Sequence, residues 1–267
     1  MIFLTGLPGL WALVLILVFV AVVSVGLTIG LSRTGPDGRE YAGATAAAYM
    51  TALGSLFAIL TGFLINNEYS TLRHTNEVVA QESAAISQLA YASAGLPPTD
   101  AELIQQRLFT YTHDLASTEW PALSRNQPES SPAFVDLAKL EQDVVHIGSA
   151  PYPPSESVAS MRDALQTMTQ ARRERVAIAS QDLPIALFAL SLIAGLALIV
   201  NAIIVAMRAG PHYSWVAVGI ILLVALDLAA ILAISAPFRG PFQASTQPLQ
   251  EIASELRRAD YLPWVRK

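Results

Sequence analysis

Four blocks of this chain are long and apolar enough to be membrane spans, and that limits the folds open to it more than any other feature. A spanning helix needs about 20 mostly apolar residues to cross a hydrocarbon core of about 30 Å, and residues 7–31, 44–66, 184–207 and 214–236 meet that length. Only 14% of the 267 residues are charged and 53% are hydrophobic, where soluble domains carry about a quarter charged residues. Much of the apolar content therefore answers to lipid and not to a soluble core. The first block lacks a basic leader and exceeds the short apolar core of a cleavable signal, so it is expected to be a retained helix.

The spacing of the blocks predicts two hairpins. Gly35-Pro36-Asp37-Gly38 supplies a turn in the 32–43 connection, and Gly210-Pro211 supplies the tighter second one. Between the hairpins, residues 67–182 carry most of the charge yet keep apolar side chains at helical spacing. Thr99-Asp100-Ala101-Glu102 reads as a capping box before the stripe Ile104, Leu108, Tyr111 and Leu115, and that helix is expected to end near Trp120-Pro121. Ser131-Pro132 opens a second helix along Phe134, Leu137, Leu140 and Val144 as far as Gly148. A third, over 156–181, carries Val158, Met161, Leu165 and Met168 and meets a break at Pro184. With no breaker between Asn66 and Ala94, the second span continues as one long helix to Gly95-Leu96-Pro97-Pro98.

The expected fold is thus all-α: a transmembrane hairpin (1–66), a helical bundle (67–182) continuous with spans two and three, a second hairpin (183–236) and a C-terminal tail (237–267). Arg73, Arg172, Arg173, Arg175 and Arg239, with Arg257 and Arg258 further off, outnumber Arg33, Arg39 and Arg208 on the other side. The positive-inside rule then puts both termini and the bundle in the cytoplasm.

Residues that do not belong in lipid carry the functional reading. Asp227 sits near the middle of the fourth span, where a carboxylate costs about 2.5–3.5 kcal/mol and is a functional-site hypothesis by default. Ser55, Thr61 and Ser191 lie nearest its depth, and without a basic partner in any span it is either a protonated packing group or part of a proton- or cation-linked pathway. Asn201 is a candidate interhelical hydrogen bonder. Gly26 and Gly30, then Gly54, Ala58 and Gly62, recur at the spacing that favours close helix approach, within a monomer or between copies. Phe57 and Phe63 are candidates for a hydrophobic constriction. Asn66, Asn67 and Glu68 end the span where an oligomer would gather them into a ring, and Arg172, Arg173 and Arg175 would attract anions or lipid headgroups or enforce topology.

Several function classes drop out. Without cysteine there is no disulfide, thiolate metal site or cysteine nucleophile. His74, His113, His146 and His212 show no paired ligand spacing, and no nucleotide loop, dinucleotide fingerprint or nucleophile elbow is present. The net charge of −5, without a basic face, excludes a nucleic-acid surface. No enzyme, metal or cofactor is expected.

A family resemblance rests on an ordered set of short stretches. They are Gln81-Glu82-Ser83-Ala84-Ala85-Ile86, Leu96-Pro97, Glu119-Trp120-Pro121, Ala171-Arg172-Arg173, Leu183-Pro184, Pro237-Phe238-Arg239-Gly240 and Pro248. In this order the chain resembles the bestrophin-like family of bacterial integral membrane proteins, departing from its pattern at Ser235-Ala236, where an acidic residue is usual. The resemblance implies four spans with a cytosolic helical domain in the plasma membrane. By analogy it also implies an oligomeric anion channel, its pore lined by the second span and the cytosolic extension. The alternative is a non-conducting scaffold or accessory subunit that binds a partner protein through apolar positions exposed at Ile104, Leu108 and Phe134.

Overall fold

The computed structural model describes residues 36–125, 127, 131–151, 154–181, 183–209, 214–262 and 264, without the side chains of 36–48, 208–209 and 214. The first expected span, with Gly26 and Gly30, and the 210–213 connection lie outside the described residues, as do Arg33, Tyr152, Pro153, His212 and Lys267. Among the described residues every regular element is helical.

Helix α1 runs Pro36–Ser93 without a break. The expected 32–43 turn is therefore corrected over its described part, since the chain is helical from Pro36 onward; proline is suited to a helix's first turn, where no backbone N–H is needed. Helix α2 is Pro98–Asp114, followed by a π-helical turn over Leu115–Glu119 and by α3, Trp120–Ser124. The expected capping box at Thr99 is not formed: Pro97 is the N-cap and no side chain caps it. The Trp120-Pro121 ending moves on to Ser124, because proline at the start of α3 is compatible with helical backbone. Helices α4, Pro132–Gly148, and α5, Ser155–Ala179, follow, and the Ser131 side chain accepts a hydrogen bond from the Ala133 N–H at 3.2 Å. Then come α6, Ile185–Ala209, and α7, Ser214–Ile234. Helix α8, Gln247–Arg257, lies in a segment expected to be tail; it buries Leu249, Ile252 and Leu256 on one face and packs on α2.

The chain divides into two compact units. The first takes residues up to Ser70 with 182–236 and 240–242. Its core joins Phe57 and Leu64 of α1 to Phe188, Leu198 and Ile199 of α6 and Val224, Leu228 and Ile231 of α7. The absence of a side chain at Gly195 permits the closest approach here, since a Cβ would lie 2.9 Å from Val224 Cγ1 and 3.0 Å from Phe57 Cε2. Three described helices are long and apolar enough to cross a membrane, in α1 from Tyr49 onward, in α6 over Ile185–Met207 and in α7 over Trp215–Ile234.

The second unit takes residues 71–181, 237–239 and 243–267. The rest of α1, with α2, α4, α5 and α8, buries one apolar core including Ile86, Leu89, Ile104, Leu108, Leu140, Met161 and Met168. Ile104 and Leu108 are fully buried there, which corrects the expectation that they face a partner; the apolar stripe of α2 closes the bundle, and Phe134 alone of the three is exposed.

Candidate functional site

Two groups of residues carry chemistry, one in each unit. In the first unit, α1 presents an outward stripe. Leu56, Ile59, Gly62, Phe63, Asn66 and Asn67 are all exposed, at intervals of three and four that keep them on one side of the helix. A Cβ added at Gly54 or Gly62 would meet nothing within 4 Å. The inward side is different: Phe57 is buried in the unit's own core, and Thr61, also buried, satisfies its hydroxyl by donating to the Phe57 carbonyl at 2.9 Å. The two rings singled out by sequence thus part company, with Phe57 committed to packing beside Gly195 and Phe63 facing out.

Glu68 is buried, and its Oε1 accepts from Asn67 Nδ2 at 3.3 Å. Asp227 is half-buried on α7, one residue after the exposed Leu226. Ser191 is fully buried with its hydroxyl unbonded, and Asn201 Nδ2 lies 3.6 Å from the Met50 sulfur. Of the residues expected near a pathway, Phe63, Asn66 and Asn67 therefore share a face, Phe57 and Glu68 turn inward, and Asp227 belongs to a different helix.

The second unit assembles a charge cluster. Glu82 of α1, Glu119 at the end of the π turn and Arg175 of α5 are each 0% exposed. Arg175 grips Glu82 with two hydrogen bonds, Nε to Oε2 at 3.0 Å and Nη2 to Oε1 at 3.1 Å. Its Nη1 lies 2.8 Å from Glu119 Oε1, within ion-pair range but off the hydrogen-bonding direction. Glu119 Oε2 in turn accepts from Arg172 Nε at 3.2 Å and Nη2 at 2.9 Å. The fully buried Tyr111 donates its hydroxyl to Glu82 Oε1.

Two carboxylates and two guanidiniums sum to zero, which makes such burial tolerable; a lone buried charge would not be. Burial alone would lower the Arg175 pKa, but the Glu82 and Glu119 carboxylates overcome that and hold it above its ordinary value. Burial, reinforced by the Glu82 charge, pushes the Tyr111 hydroxyl well above its ordinary value. Arg172 closes the cluster toward solvent, its guanidinium 5.2 Å from the ring centre of the exposed Phe134.

Several of the motif stretches converge here. Trp120 follows Glu119 directly and meets Phe238 edge to face, with ring centres 5.2 Å apart. Arg239 Nη1 donates to the Ser124 carbonyl at 3.2 Å, and Ser83 Oγ donates to the Pro248 carbonyl at 3.0 Å. The Ala244 N–H donates to the Pro237 carbonyl at 2.7 Å, closing the turn that contains Gly240 at φ +90°. Pro97 and Pro121 stand at helix starts, and Pro184 immediately precedes α6. Sequence reasoning picked out Glu82, Glu119 and Arg172 but missed the part played by Tyr111 and Arg175. The expectation that Arg172 and Arg175 attract anions is corrected, since both are neutralised by the chain's own carboxylates.

The sequence model of the Bestrophin-like domain matches residues 7–249. No curated protein matches the chain by sequence. Among solved structures, a variant of a bacterial bestrophin homologue from Klebsiella pneumoniae is 16% identical with a TM-score of 0.67, the match covering 92% of this chain and 98% of that one. A second variant of the Klebsiella homologue is 14% identical at a TM-score of 0.71, with the same coverage of both chains.

Proposed function

This chain belongs to the Bestrophin-like family, and from that premise we propose that it is an oligomeric ion channel whose pore is lined by α1. The observation that carries the reading is the outward stripe of α1, where Ile59, Phe63 and Asn66 stand exposed on a helix of membrane-spanning length. A ring of copies would turn that stripe inward, setting apolar side chains at a constriction and amides at its mouth. Phe63 is the narrowing residue in this reading, Asn66 and Asn67 follow it, and Phe57 supports the wall from behind.

The topology proposed is four spans in the plasma membrane, with both termini and the helical unit on the cytoplasmic side. The role is transport and not catalysis. Anions are the first ions to test, on the family analogy alone, because the buried Arg172 and Arg175 contribute no free positive charge. Asp227 is proposed to act in helix packing, away from the conducting stripe.

Ion flux from liposomes holding the purified protein tests this, comparing chloride, potassium and protons. Phe63→Ala should raise the flux severalfold by widening the constriction, while Asp227→Asn should leave it unchanged. A monomeric protein in lipid, or folded and inserted protein that passes no ion even as Phe63→Ala, would sink the channel reading. Flux abolished by Asp227→Asn in an intact oligomer would move the pathway to α7.

A further inference from the structure

Between the end of α2 and the face of α8 lies a cavity of about 360 Å³, formed wholly within the helical unit. Thr112, Ala116, Leu249 and Ala253 are among the residues of its wall, and His113, Arg257 and Arg258 bring basic groups to it. Among the described residues no carboxylate lines it. Two of these groups, His113 and Arg257, are held in place by one ring. Phe109 stacks on the His113 ring at 6.2 Å with an interplanar angle of 20°, and the Arg257 guanidinium stands 5.4 Å from the same Phe109 ring. Arg257 makes no hydrogen bond or ion pair among the described residues, and its described contact is the Phe109 ring. Arg258 commits only Nε, to Asp260 Oδ2 at 3.0 Å. Of the nearby acids, Glu251 accepts from Gln247 and Glu255 from Tyr261, while Asp260 pairs with Arg258 and Asp114 directly follows His113.

We propose that this cavity is a binding site for a phosphate-bearing anion. Two guanidiniums, of which Arg257 has no counter-carboxylate among the described residues, and an imidazole line one cavity and offer N–H donors to the several acceptor oxygens of a phosphate group. The volume lies at the low end of small-molecule sites and leaves room for an organic substituent along the Leu249 and Ala253 wall. A chloride ion would fill little of it. The same chemistry is offered by a soluble phosphate and by the headgroup of an anionic phospholipid. The site is independent of whether α1 lines a pore.

Titration calorimetry on the full-length protein in neutral detergent, at constant ionic strength set with chloride, distinguishes the sources. The probes are inorganic phosphate, glycerol phosphate and a short-chain phosphatidylglycerol below its micelle concentration. Binding of either soluble phosphate supports a soluble ligand, and binding of the phosphatidylglycerol alone supports a headgroup. In either case the double substitution Arg257→Gln with Arg258→Gln should weaken binding at least about tenfold, and Ala253→Leu, which fills the cavity, should do the same. Both variants should melt as the parent does in phosphate-free buffer, since the altered side chains bridge no buried group. No heat from any probe, or binding unchanged in both variants, overturns the proposal.

Discussion

At the scale of single residues, Arg175 has no substitute within the buried cluster. Among the described residues it is the one cation that touches both Glu82 and Glu119. Arg175→Met would leave Glu82 buried without a counter-charge, a change that typically costs about 3–5 kcal/mol. A large fall in the melting temperature of the helical unit is expected, and the double variant Glu82→Leu with Arg175→Met should recover part of it, because Glu119 keeps Arg172. Circular dichroism melts of the three proteins check this. The tyrosines make a second prediction. Tyr261 is pushed up to about 12 by burial and by its hydrogen bond to Glu255, and Tyr111 is raised as well. A folded-state pKa above the unfolded value of 10 means the fold favours the protonated hydroxyl, so this stabilisation is complete below pH 10 and lost as pH rises from 10 toward 12. Tyr261→Phe should therefore show a shallower loss of stability over that window in alkaline unfolding experiments. Glu82, Glu119 and Arg172 were legible in the sequence as motif members, but their partnership was not. Glu82 and Arg175 are 93 positions apart, and nothing in local periodicity pairs groups at such a separation.

Among the helices, those with strong local signals were legible and those shaped by distant contacts were less so. The Ser131 cap, the end at Gly148 and the long continuation of α1 past Asn66 were all readable, since each depends on a cap, a breaker or the lack of one. Helix α8 was not. It has 11 residues and no capping side chain at Thr246, so its only local signature is the Leu249, Ile252, Leu256 spacing, and its stability comes from lying on α2. Ile252→Ala should accordingly destabilise the helical unit by about 2–4 kcal/mol, measured by denaturant titration followed at the Trp120 fluorescence. The π turn over Leu115–Glu119 was likewise hidden, as its five residues carry no proline or glycine to mark it.

For the whole molecule, the exposed side of α1 is the place to test the assembly that the proposed channel requires. Leucine at Gly62 would find open space within the protomer, so Gly62→Leu should leave the protomer folded. If that face meets other copies, the substitution should shift the protein from oligomer to smaller species in light scattering after size exclusion; an unchanged oligomer would place the contact elsewhere. The apolar blocks and the bundle between them could be read directly, because bilayer length and helical spacing are local properties. Which side of α1 turns inward could not, since Phe57 and Phe63 differ only in what their neighbours on other helices cover. The buried cluster also bears on the order in which the chain is made. A ribosome releases Glu82 and Glu119 well before Arg172 and Arg175, and until then the two carboxylates are hydrated like charges with nothing to draw them together. Their helices can form early, but the interior they share can close only when α5 emerges, so a nascent chain cut short before residue 172 should remain an open substrate for chaperones and proteases.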